Sequence, residues 1–255
     1  MTEIFTEKIV FRFIGSRILE RIKLLGEVLT YVISVLSKAA FMNMPQEIKD
    51  EMQSVFDGCK VQNPGTKVSM ERLITLNMGL DIILSMVYSG NFLLMSIPYI
   101  KPSDLDIPIM CNAFSVFGSA AGNGHYFGRD FMFPTANIFQ KTATMLICNP
   151  VNKTGKSVFP FVSITAPGML GSISAMNIHG VGIGVDMSPA ANCDPSNIGV
   201  NSLLLARKCI QYGANAEQIV QIMRDTQRGV SWNYIISDGT NDRACVIEAG
   251  KSERR

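Results

Sequence analysis

An Asn123-Gly124 pair set between two strand-like runs, 111–118 and 125–132, is the feature that most narrows what this chain can fold into. Asn-Gly flanked by β-rich segments is the strongest short-range signal for a β-hairpin. The first run, Cys111-Asn112-Ala113-Phe114-Ser115-Val116-Phe117-Gly118, opens on a cysteine. The second carries Arg129. Pairing the runs brings a thiol and a guanidinium to one end of a sheet, where the cation favours the thiolate.

Upstream of the hairpin the chain reads as helical. Aliphatic residues recur at helical spacing up to residue 41. Asn43 and Pro45 supply a cap and a first-turn proline for a helix ending near Gly58, and Ser69 is a good N-cap for a third helix. Residues 88 to 110, with prolines at 98, 102 and 108, read as irregular. Downstream, further β-rich runs are expected at 142–148, 159–166, 172–177, 181–187, 231–237 and 243–249. Two helices interrupt them, one capped by Asn201 and ended by Gly213, the other capped by Asn215 and stopped by Gly229. Strands, then a helical pair, then strands imply α+β layers and not alternating βαβ units.

The composition excludes several classes. With 255 residues, 47% of them apolar, the chain has ample core-forming material. A net charge of +2, with no basic run beyond Arg254-Arg255, argues against a nucleic-acid partner. The six cysteines stand singly, so neither a zinc site, a cofactor nor a disulfide framework is expected. Leu24 to Phe41 is the most apolar early segment, but Glu27 and Lys38 interrupt it. A packed helix is the expectation there and membrane association a weaker rival. The expected compartment is the cytoplasm; a homo-oligomer stays open.

The hairpin, with Gly128-Arg129-Asp130-Phe131-Met132 and a later Met176-Asn177-Ile178-His179-Gly180-Val181, resembles the penicillin acyltransferase and choloylglycine hydrolase group of N-terminal-nucleophile (Ntn) hydrolases. The resemblance covers roughly residues 45 to 249 and rests on the ordered set of motifs. It implies part of an αββα sandwich over 111–255, preceded by a helical propeptide-like segment over 1–110. It also implies self-cleavage between Met110 and Cys111, Cys111 as nucleophile, and its freed amine as base. Arg129 would hold the thiolate or a substrate carboxylate, and Asn177 would contribute to an oxyanion hole. The implied partner is a small amide or acyl compound, and the implied activity is that of an amidohydrolase or acyltransferase.

The pattern is incomplete. Met132 stands where the family has an aspartate facing the amine, and Asp130 alternates to the face opposite Arg129. Asp186 or Asn137 are the candidate substitutes. The family continues past the strand at 243–249, so the chain reads as cut short, and a degenerate, non-catalytic relative is the alternative. A papain-like pair would need His125 or His179, the two histidines of the sequence, and both lie at turns. The glycines of 118–124 precede a strand, where a phosphate loop wants a helix. Those at 180, 182 and 184 suggest close sheet packing.

Overall fold

The computed structural model describes residues 23–88, 110–132, 139–151, 155, 157–187, 199–228 and 230–250. Three helices come first, α1 (Lys23–Met42), α2 (Gln46–Gln62) and α3 (Met70–Tyr88). Ser69 caps α3, its hydroxyl accepting the Arg72 N–H at 3.3 Å. Pro45 itself occupies the cap position of α2, while Asn43 donates its side-chain amide to the Ala39 carbonyl at 3.3 Å. The helix runs past Gly58 to Gln62, since an interior glycine costs only about 1 kcal/mol. No helix among the described residues is long and apolar enough to cross a membrane. In the segment expected to be a packed helix, Leu29 and Ile33 are buried in the core.

Strands β1 (Met110–Phe117) and β2 (His125–Met132) form the expected hairpin, in register from Met110 opposite Met132 to Phe117 opposite His125. Its connection is longer than a two-residue Asn-Gly turn. A 3-10 turn at Gly118–Ala121 is followed by Gly122 and Asn123, both in left-handed backbone, and the Asn123 N–H closes onto the Gly118 carbonyl at 2.9 Å. Asparagine tolerates that conformation better than most residues.

After the one-turn helix α4 (Phe139–Thr142) come β3 (Thr144–Cys148), β4 (Phe161–Thr165), β5 (Ser174–Asn177) and β6 (Val181–Met187). Helices α5 (Ser202–Tyr212) and α6 (Ala216–Asp225) precede β7 (Trp232–Asp238) and β8 (Arg243–Ala249). The six strands β3 to β8 form one antiparallel sheet in sequence order. Asn201 and Asn215 cap α5 and α6 as expected, accepting from Leu203 and Leu204 N–H and from Gln218 N–H. Helix α6 ends at Asp225, four residues before Gly229.

The class is therefore α+β. Val181, Ile183 and Val185 of β6 and Trp232, Tyr234 and Ile236 of β7 point into one core with Leu205, Cys209 and Ile219 of the α5–α6 pair. Gly182, Gly184 and Asp186 alternate to the other face, and the hairpin lies there. Helices, sheet and hairpin make three layers.

Leu29 and Ile33 of α1 and Leu76 and Leu84 of α3 join that core, and a second cluster holds α2. Met52, Leu73, Ile74 and Met78 cluster with Leu170 and Leu204. Two buried polar contacts lock α3 down. Asn77 accepts the Leu170 N–H at 2.7 Å and donates to the Gly168 carbonyl at 2.8 Å. Asp81 accepts the backbone N–H and hydroxyl of Ser202 at 2.8 and 2.9 Å, at the first turn of α5, where helix N–H groups lack partners of their own.

Burial pushes the Asp81 carboxyl up to about 7, against the pull of its Ser202 donors. The folded chain thus holds a proton there that the unfolded chain releases at ordinary aspartate pH. Stability should fall as pH rises from the normal aspartate range to about 7, then level off. Thermal unfolding followed from about pH 5 to about pH 8 should show that slope. Asp81→Asn should flatten it, and Asp81→Ala should cost roughly 1–3 kcal/mol by stranding the Ser202 donors.

Candidate functional site

The inner face of the hairpin carries Cys111, Ala113, Ser115 and Phe117 on β1, and His125, Phe127, Arg129 and Phe131 on β2. This face follows from strand alternation and the register. Cys111 sits opposite Phe131. The Arg129 guanidinium lies over the Phe131 ring at 5.0 Å and pairs with Asp186 of β6 at 3.3 Å. Only 5% of the Arg129 side chain is exposed. A guanidinium that deep requires compensation, which the Asp186 carboxylate and the ring face supply in part.

Gly184 makes the burial possible. A Cβ built there would stand 2.8 Å from Arg129 Nε, and one at Gly182 would stand 2.8 Å from the Phe127 ring. The close packing expected of this glycine run is thus what seats the hairpin.

Cys111 is half-buried, and burial raises its thiol pKa. The Arg129 charge and the backbone N–H groups of Met132 and Met187 pull in the opposite direction, while Asp186 adds to the rise. In turn, burial lowers the Arg129 pKa, and Cys111 and Asp186 oppose that. Nε and Nη1 of Arg129 are buried without a hydrogen-bond acceptor. Orphaned donors of this kind are costly and recur where a ligand or a reactive anion is to be held. The arrangement is a thiol, a guanidinium and a carboxylate at one end of a ribbon, beside the Met110–Cys111 bond at the start of β1.

The other expected residues divide. Asp186 joins the cluster. Asp130 is exposed on the outer face, opposite Asn112, as its parity requires. Asn137 lies outside the described residues. The expected oxyanion role of the Asn177 side chain needs correction. Asn177 is buried on the helical side of the sheet, where its amide donates to the carbonyls of Ile210 and Gly213 at 3.0 and 2.7 Å. Its oxygen accepts the N–H groups of His179 and Val181. With all of these occupied, it serves the β5–β6 turn and not Cys111.

Neither histidine reaches Cys111. The His179 ring packs edge-on against Phe159 at 4.3 Å. His125 lies at the far end of the ribbon, roughly 20 Å away at about 3.3 Å per strand residue. There it forms a cluster that the sequence pattern did not disclose. Nε2 meets Ser237 at 2.7 Å and Ser115 at 3.0 Å, Nδ1 meets Asp242 at 3.3 Å, and the ring stacks on Phe117. Ser237 and Asp242, 112 and 117 residues away, leave no local signal.

A groove of about 580 Å³ opens beside Arg129, between β2, α4 and the uncovered face of β3–β5. A larger cavity, about 830 Å³, lies between residues 44–48 and α5 and touches none of these groups. Among the described residues no group of three or more His, Cys, Asp or Glu converges as metal ligands would.

Removing the cation should raise the Cys111 pKa further. Arg129→Met should slow iodoacetamide alkylation of Cys111 at neutral pH by roughly tenfold or more, because the nearby charge that favours the thiolate is lost. Quantifying the labelled Cys111 peptide against pH checks this.

No family model matches the chain. A protein of Archaeoglobus fulgidus, described as uncharacterized, is 32% identical to it over 197 residues, which are 77% of this chain and 31% of that relative. The chain thus spans less than a third of that curated relative's length.

Proposed function

We propose that the chain is a self-processing cysteine amidohydrolase or acyltransferase of Ntn type, acting on linear, non-peptide amide bonds. The observation that carries this reading is the meeting of Cys111, Arg129 and Asp186 at the strand bond Met110–Cys111.

In the first reaction the Cys111 sulfur attacks the Met110 carbonyl carbon. A C–S bond forms, the C–N bond breaks, and the thiol proton passes to the departing amine. Water then cleaves the thioester, leaving a Met110 carboxylate and a restored thiol on a chain beginning with a free amine. That amine, of near-neutral intrinsic pKa, takes the thiol proton. The thiolate attacks the substrate's acyl carbon, and the proton goes to the leaving nitrogen. Water or a second amine finally receives the acyl group. Arg129 steadies negative charge on sulfur or on the carbonyl oxygen, through donors that have no other acceptor. Asp186 keeps the guanidinium seated.

Met132, where the resembled family has an aspartate, supports a second reading, a non-catalytic relative retaining the fold. Mass spectrometry of the purified chain separates the two. The first predicts a new N-terminus at Cys111 that disappears in Cys111→Ala and forms at least tenfold more slowly in Arg129→Met. An intact chain after prolonged incubation supports the second. The contacts of α3 with α5 and the 166–172 segment further predict that the released N-terminal piece stays bound on gel filtration.

A further inference from the structure

The face of β3–β5 left bare by the hairpin is apolar. Met145 is 64% exposed, Ile164 40% and Met176 44%. The register lines these residues up across the strands. One row runs Met145, Ile164, Ser174, Gly184, and the next runs Ile147, Val162, Met176, Gly182. Both rows end under the hairpin, the first beneath Arg129 and the second beneath Phe127. Phe131 and Phe139, with ring centroids 6.1 Å apart, wall the groove above them. From Gly184 to Met145 is three strand spacings, roughly 14 Å at about 4.8 Å each.

This is a track with one charged end. Arg129 is the sole charged side chain lining the groove among the described residues, and two of its donors lack an acceptor. An occupant that complements it has a carbonyl or oxyanion head and an uncharged, extended tail. We infer that the groove is an acyl-chain site and that the preferred substrate is an amide of a linear aliphatic acid. The acyl head would lie at Arg129, the groove-lining residue whose charge acts on Cys111, and the chain would cross β5, β4 and β3 over Ile164 and Met176. This assignment rests on the hydrolase reading above and adds the substrate class. It follows from surface complementarity, since methylenes laid on Met145, Ile164 and Met176 remove apolar area from water on both sides.

Two measurements on the full chain test it. With acetyl, hexanoyl and dodecanoyl p-nitroanilides, kcat/KM should climb with chain length by up to roughly fourfold per methylene. Ile164→Lys and, independently, Met176→Lys should flatten that climb, with thermal unfolding reporting that each variant is folded. Dodecanamide titrated calorimetrically into Cys111→Ala should bind, and either lysine substitution in that background should weaken it at least tenfold. Equal kcat/KM for all three anilides overturns the acyl-chain site and leaves the hydrolase reading standing. Binding of dodecanamide without turnover of any anilide sustains the site and removes the hydrolase reading. Absence of dodecanamide binding, with Ile164→Lys converting a dimer to a monomer in ultracentrifugation, makes the face a protein interface and overturns the proposal.

Discussion

A guanidinium held almost out of water is the constraint to which the sheet and hairpin conform. Arg129 can pack against β6 only because position 184 has no side chain, and its charge is partly compensated there by Asp186, which, two residues on, projects from the same face. Strand alternation therefore does two jobs in one segment. Val181, Ile183 and Val185 complete the core on one side, while Gly182, Gly184 and Asp186 receive the ribbon on the other. Loss of the carboxylate would leave an uncompensated buried cation, the more damaging half of any such pair. The thiol inherits its electrostatics from this arrangement, with burial pushing its pKa up and the neighbouring cation restraining it.

On the far side of the sheet, polar side chains act as pins in an otherwise apolar interior. Asn77 and Asp81 fasten α3 to the 168–170 segment and to the start of α5, and Asn177 fastens the β5–β6 turn to the end of α5. Arg207 of α5 reaches back to Glu51 of α2 at 2.8 Å. The contacts of Asn77, Asp81 and Asn177 satisfy backbone groups that helix ends and turns leave open. The early helices are consequently continuous with the core and not an appendage to it.

The sequence disclosed the parts of this structure that local chemistry decides. Cap residues Ser69, Asn201 and Asn215 marked their helices because an N-cap acts within three residues. The strands at 181–187 and 243–249 matched the expected spans, and the two runs of the hairpin pair as expected, though through a connection longer than an Asn-Gly turn. Helix ends were misplaced at Gly58 and Gly229: a glycine inside a helix costs little, so α2 continues to Gln62, while α6 already ends at Asp225. The side-chain partners of Asn177 were not legible, because its turn motif says nothing about which face of the sheet it serves. Arg129 and Asp186 were each visible, but their pairing spans 57 residues, and the His125–Ser237 contact spans 112. The apolar track exists only once β3, β4 and β5 stand side by side.

The location of the Met110–Cys111 bond carries a mechanical corollary. Strand β6 presents bare glycine backbone toward the ribbon, so peeling that ribbon away would wet its amides and strand a cation in the open. A break at the very start of β1 avoids this. Under the proposed self-cleavage the whole ribbon would stay with the sheet it covers, Phe131 would still face the first residue after the break, and the new terminus would be moored from the outset.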